Sequence, residues 1–468
     1  MVKRKKDRKR QKPPIPTTTT SSPPALSLLI GAIIPLVFLA GSWTYPALSN
    51  SVIIKTFTSQ IYLSGLIAYW FWMQRNSNKD VLFFSIPTTL WATLFIFGTI
   101  SILWTVNTDF FFYKWLMWYS AAIIFFLGLQ VQQTDKNLSI IFNCIIAAAV
   151  GISVIGILQH LFSLDVLPQS EKPAATFDNV NLASQAMVLT FPIPLYFLFR
   201  ADLPRKAAWG YALSACLILT FLFYARTRAV WVAFSLGALF IVLVAIFDKS
   251  ERNRWLAWNS DKTFASLFAA ALFFLLINLT KDGFQPFSTI VVNEVSSIFS
   301  EAQRTDKANI SGRYVLWGSA LEMISHSPVA GTGLGSFFEN FNTGGYSSNA
   351  RSMGTQRAHN DLLELGVELG AIGWLIFTSI LVSMGMCLVR IARLCSGQQR
   401  LTYILLTAVA ISSLSNAVLS FPYQMPVPLV LVSLFVAMLV RGSEQLSPAP
   451  LTLSFKVGRW YSKAALAL

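Results

Sequence analysis

Runs of about twenty apolar residues, nearly free of charge, recur along almost the whole chain and limit its fold more than any other feature. They fall at roughly 25–46, 52–73, 81–103, 112–131, 138–163, 181–199, 207–224, 230–247, 263–280, 363–389, 401–420 and 424–440. Each is near the length needed to cross about 30 Å of hydrocarbon. Lipid offers a backbone N–H or C=O no partner, so a spanning segment must satisfy its own hydrogen bonds, and isolated runs of this kind do so as helices. The expected fold class is all-α: a polytopic membrane bundle of about twelve transmembrane helices. Composition agrees, with 12% charged and 54% hydrophobic residues against about 25% charged in ordinary soluble domains.

The formal net charge of +15 raises the question of an acidic partner. The cations are scattered between apolar runs, which argues against nucleic acid and for a cytoplasmic membrane face rich in Lys and Arg. With the amino terminus inside, inside segments hold 25 of the 36 basic residues, and six of the nine in outside loops lie in the long segment 281–362. Both termini are then cytoplasmic and 281–362 faces outward. The domains expected are a disordered basic arm at 1–24, built on "KRKKDRKRQK" and suited to anionic headgroups, nine spans over 25–280, the loop 281–362, three spans over 363–440 and a tail at 441–468. A cleaved signal peptide is not expected, and Cys144, Cys216, Cys387 and Cys395 have neither zinc spacing nor a disulfide framework.

The outside loop departs most from the apolar pattern. Ser311 is placed to cap a helix over about 313–325 that Pro328 stops. Trp317, Leu321 and Ile324 share one face of that helix, suited to a bundle or membrane interface, and Trp317 is also placed to touch a sugar or lipid. Gly331, Gly333 and Gly335 permit a close turn but lack the Lys-Ser/Thr of a phosphate-binding loop.

Polar residues cluster where outside segments meet spans. Arg226 and Arg228 sit in the short turn "YARTRAVW", where snorkelling competes with anion recognition; their outside position favours recognition, since guanidinium groups suit pyrophosphate oxygens. Arg313 is open to loop structure or ligand binding. Arg357, His359 and Asn360 precede the tenth span, and Asp361, Glu364 and Glu368 enter it. His359 suits either a structural hydrogen bond or proton transfer, and the two glutamates share a helix face suited to supporting an arginine or water at the headgroup boundary. Asp178 and Asn181 shape either a pocket or a turn. Gln159 and His160 read as interfacial hydrogen bonding and His326 as a helix cap, and three scattered histidines make no zinc site.

Four islands in order, "TFDNVNLASQAMVLTFPI" at 176–193, "ARTRAVWVAF" at 225–234, "SGRYVLWGSALEMISHSPVAGTGLGSF" at 311–337 and "RAHNDLLELGVELGAIG" at 357–373, resemble the O-antigen ligase and polymerase superfamily of bacterial membrane glycosyltransferases. The resemblance implies a C-type glycosyltransferase in the bacterial inner membrane with a periplasmic site. Its donor is an undecaprenyl-pyrophosphate-linked glycan and its acceptor a lipid A-core sugar or another glycan, with no cofactor or metal, since arginines supply the positive charge. On the matching positions His359 is the base, and Arg228, Arg226 and Arg313 hold pyrophosphate. Arg357, Asn181, Asn360, Glu364 and Trp317 complete the expected substrate pocket. "FDNVN" departs from the family's usual Gly-Asn-Pro-Asn style, which favours Asn181 over Asp178. The leading expectation is an O-antigen ligase in lipopolysaccharide biosynthesis. Alternatives are a Wzy-type polysaccharide polymerase, a protein O-oligosaccharyltransferase or a solute (inorganic-carbon) transporter, although no inverted repeat or pair of broken spans is evident.

Overall fold

The computed structural model describes residues 24–44, 50–74, 82–83, 85–164, 167, 173–200, 202–256, 260–281, 283–289, 292, 296, 310–343, 357–446 and 452–453. The basic arm, save its last residue, and most of the tail lie outside them. The helices are α1 (Pro24–Leu39), α2 (Ser51–Gln74), α3 (Ile86–Ile100), α4 (Thr108–Gln130), α5 (Asp135–Phe162), α6 (Val180–Met187), α7 (Pro192–Leu198), α8 (Arg205–Ala225), α9 (Arg228–Phe247), α10 (Lys249–Leu256), α11 (Ser260–Ile277), α12 (Ile310–His326), α13 (Phe337–Thr343), α14 (Asp361–Leu394), α15 (Gln398–Leu419) and α16 (Pro426–Gln445). Two antiparallel strand pairs, each two residues long, are the sheet among the described residues.

Ten segments among the described residues are long and apolar enough to cross a membrane, two fewer than the apolar runs suggest. The shortfall is at the start. α1 is apolar but only 16 residues long. α2 has the length but opens with Ser51, Lys55, Thr56, Ser59 and Gln60, all buried. Lys55 shows why they are tolerated: its ammonium donates to the carbonyls of Val37 (3.1 Å), Phe38 (2.8 Å) and Ala40. It thereby satisfies the orphan acceptors at the end of α1.

α16 is the central column, almost wholly buried, and packs along α4. α1 packs on α5, α9 on α15 and α8 on α11. Apolar side chains such as Leu239, Phe268 and Leu375 remain on the outside, as a bilayer requires. The ends differ chemically. One carries the ion pairs Arg200–Asp202, Arg205–Asp261, Arg400–Asp248 and Arg390–Glu444. At the other lie the starts of α2, α4, α6, α9, α14 and α16, and there the loop helices α12 and α13 pack on α14.

Two spans are interrupted, which the sequence did not reveal. The sixth is two short helices, α6 and α7, parted before Pro192 and Pro194. In α14, Gly370 leaves the helical region (φ 60°, ψ −157°), and the loop after α12 fills the gap. Thr332 N–H donates to Val367 O and Gly333 N–H to Glu368 O, each at 2.9 Å, while Ala371 and Ile372 N–H donate to Pro328 O and Val329 O at 2.8 and 3.1 Å. The glycine-rich turn is thus a backbone patch. A Cβ on Gly331 (φ +67°) would lie 2.4 Å from the Glu368 carbonyl carbon. Gly331→Ala is therefore expected to destabilise by more than the ~1–2 kcal/mol left-handed penalty alone. Gly318→Ala, in the open on α12, should gain up to about 1 kcal/mol. Thermal unfolding in detergent compares the two.

Candidate functional site

The run 357–361 is fixed almost residue by residue. Asn360 caps α14, its Oδ1 accepting from Leu362 N–H (3.0 Å) and Leu363 N–H (3.1 Å). Asp361 accepts from Tyr423 N–H at 2.9 Å and Gln424 Nε2 at 3.0 Å, which ties α14 to the turn before α16. Glu364, fully buried, accepts from Arg357 Nη1 at 3.1 Å and from Ala358 N–H at 3.2 Å. Between these anchors His359 adopts φ +54°, a region costly for a residue with a Cβ and found where surroundings over-determine the backbone. Its ring meets Phe421 edge-on at 4.8 Å and, among the described residues, takes part in no hydrogen bond.

Beneath that run lies a buried charge cluster. Lys114 of α4, 2% exposed, is 3.2 Å from Glu364 and 2.5 Å from Glu368. Burial works against the charge on Arg357, but Glu364 and Glu368 outweigh it and hold its pKa above the ordinary value. Two cations against two carboxylates is the balance that lets such groups leave water. Read along the chain, Lys114 is only a residue near a span start. The available signal is a single cation inside "FFFYKWLMWY", since an intramembrane lysine demands a partner.

Arginines also act on His359 and on one another. Burial first, then the Arg313 charge, pull the His359 imidazole down to about 4, against an opposing pull from Glu364. Burial and then the Arg228 charge lower Arg313 in turn. Arg313, in the first turns of α12, is thus within electrostatic reach of both His359 and Arg228, which stands at the start of α9. Arg226 instead takes the left-handed conformation at the end of α8 (φ +49°), within electrostatic reach of His160. Asn181 is exposed on α6 and accepts from Thr227 Oγ1 at 3.3 Å, which sets it beside both turn arginines.

The remaining candidates have packing partners. Trp317 is half-buried beside Leu316, Met323, Phe337 and Phe341 in the small core of the long loop, with Ile324, whereas Leu321 is exposed. α12 begins at Ile310, so Ser311 lies in its first turn rather than before it. His326 Nδ1 lies 2.8 Å from Glu322 O, a cap as expected. Gln159 pairs both ways with the Ala175 backbone and His160 stacks on Tyr224 at 3.8 Å. Asp178 accepts from Ser42 Oγ and Ser51 N–H, holding α2 to the turn before it.

Fold and site together define a polytopic helical membrane protein whose bundle brings a histidine and arginines together at one end. Residues 212–378 match the family model described as O-antigen ligase. That match supports the O-antigen ligase superfamily, whose members are membrane glycosyltransferase-like enzymes acting on glycan and lipid substrates. It spans Arg226, Arg228, Arg313, Arg357, His359 and Glu364 but neither Lys114 nor Asn181. No curated protein matches the chain.

Proposed function

We propose that this protein is an O-antigen ligase of the bacterial inner membrane, transferring glycan from an undecaprenyl-pyrophosphate donor to a lipid A-core sugar with inversion. The observation that carries the reading is that Arg313 lies within electrostatic reach of both His359 and Arg228, beside a half-buried histidine held in a left-handed backbone between the anchors of Arg357 and Asn360. The acceptor hydroxyl oxygen attacks the anomeric carbon as its proton passes to the His359 ring. The bond from that carbon to the pyrophosphate oxygen breaks and its electron pair leaves on undecaprenyl pyrophosphate. Arg228 and Arg313, with Arg226 and Asn181 beside them, bind the pyrophosphate and stabilise the departing charge. Arg357, Asn360 and Glu364 hold the histidine strand in position, and Trp317 keeps the loop folded over the pocket. The opposite end, rich in paired arginines, faces the cytoplasm, as do both termini, so the site is periplasmic.

Burial first, and then the neighbouring Arg313, keep His359 neutral in the free enzyme, ready to take a proton. Bound pyrophosphate offsets the arginine field and strengthens the base when the donor is present. Because the pKa is depressed, the base persists above about pH 4 and is lost as pH falls through that value. The acid limb of kcat/KM for the donor is therefore expected near pH 4, with the limb of kcat displaced upward in the donor complex. Initial rates across roughly pH 3.5–8 check this; an unmoved limb at the ordinary histidine value of about 6.5 contradicts it.

Purified protein in vesicles, given a defined undecaprenyl-pyrophosphate glycan, tests the reaction against lipid A-core, a second lipid-linked glycan and an acceptor protein. Transfer to core without chain growth supports the ligase reading. Polymer growth would replace it with a polymerase and transfer to protein with an oligosaccharyltransferase. Solute flux without donor, unaffected by His359→Ala, would replace it with a transporter.

A further inference from the structure

A cavity of about 570 Å³ lies within the bundle between α3, α4, α14, α15 and α16. Along α4 its lining runs from Lys114 to Phe126, about 18 Å at 1.5 Å per residue. Its walls are overwhelmingly apolar, and on the α4–α14–α16 side polar groups gather at one end, where Lys114, Asp361, Tyr423 and Gln424 meet. Ile96 and Leu381 both line it and are exposed on the bundle surface, so it opens sideways between α3 and α14. No residue of α8, α9 or α12 lines it, which separates it from the arginine pocket.

Charge decides what it takes. Lys114 is occupied by Glu364 and Glu368, and Asp361 adds a carboxylate at the polar end, a poor seat for pyrophosphate. The buried Gln424 Oε1 has no hydrogen-bond partner among the described residues, which suits a hydroxyl or amide N–H. Asp361 is two residues from His359, so a chain reaching this end from the membrane carries its polar part toward the histidine, along a cavity that no residue of α8, α9 or α12 lines. We propose that this cavity seats one hydrocarbon chain of the acceptor lipid, so that the acceptor arrives membrane-borne and is gripped apart from the donor. The assignment to the acceptor rests on the ligase reading; the binding of a chain does not.

A Cβ added to Gly385, at the mouth, would meet nothing within 4 Å, so a side chain there starts in open space and Gly385→Phe narrows the opening; Ala410→Phe fills the interior. Both variants should raise KM for lipid A-core about tenfold or more, with kcat and the donor KM nearly unchanged, the pattern of lost uniform binding. Deacylated core oligosaccharide should be used equally by all three proteins. Wild-type KM for lipid A-core in both variants would overturn the proposal. Lipid A-core bearing a diazirine acyl chain should label the Trp118 and Phe377 segments, less so in the variants. Equal labelling by a diazirine phosphatidylethanolamine that lipid A-core fails to displace would make this a bulk-lipid site and overturn the acceptor assignment. Labelling without transfer to any acceptor would sink the ligase reading and leave the chain site. Transfer without labelling would do the reverse.

Discussion

His359→Ala is expected to lower glycan transfer by about 10²- to 10⁴-fold, the usual contribution of a positioned general base, while leaving protein yield and thermal midpoint close to wild type. The contrast follows from the surroundings of the ring. Its neighbours are pinned independently, Arg357 and Ala358 by Glu364 and Asn360 by the first N–H groups of α14. Among the described residues the imidazole itself contributes an edge contact to Phe421. Alanine carries a Cβ as histidine does, so the left-handed backbone gains little new strain. Initial rates in vesicles, set beside unfolding curves of the same preparation, make the comparison. Turnover within a few-fold of wild type would remove His359 from the role of base.

Lys114→Met is expected to do the opposite, acting first on stability. It leaves Glu364 and Glu368 buried with Arg357 as their main remaining cation, and stripping one partner from a buried ionic group typically costs about 3–5 kcal/mol. A loss of that size would appear as a large drop in thermal midpoint and in folded yield. Adding Glu368→Gln removes the excess charge, so the double variant should be more stable than Lys114→Met alone; residues in one such network do not behave additively. If the two changes simply add, the cluster is not the coupled unit its distances describe. Because Glu364 also holds Arg357 and Ala358, any Lys114→Met protein that folds should show a weakened transfer rate as well.

Much of this architecture is legible in the linear chain because lipid imposes a local rule. A helix that must satisfy its own backbone shows itself as an uninterrupted apolar run, so α3, α4, α5, α8, α9, α11, α14, α15 and α16 can be located without knowing any neighbour. α12 is legible for a similar reason, since Trp317 and Ile324 repeat at helical spacing and Pro328 ends the pattern. The rule fails where tertiary partners substitute for local ones. The polar start of α2 is tolerated because Lys55 caps the end of α1, and the break at Gly370 because residues 328–333 supply the missing backbone partners.

The candidate site divides in the same way. Residue type and position near a span end single out His359, Arg228 and Glu364, since costly polar groups at a membrane boundary require a purpose, whereas Arg313, inside the long loop, stays open between loop structure and ligand binding. What the amino-acid order determined, then, is the membrane-spanning class and most of its helices, because burial in hydrocarbon is a property of each segment. Only the folded chain decided that Lys114, 250 residues before Glu364, closes the charge balance under the histidine, and that Arg313 comes within electrostatic reach of both His359 and Arg228. Coulomb and hydrogen-bond partners act through space, and separation along the chain carries no record of them.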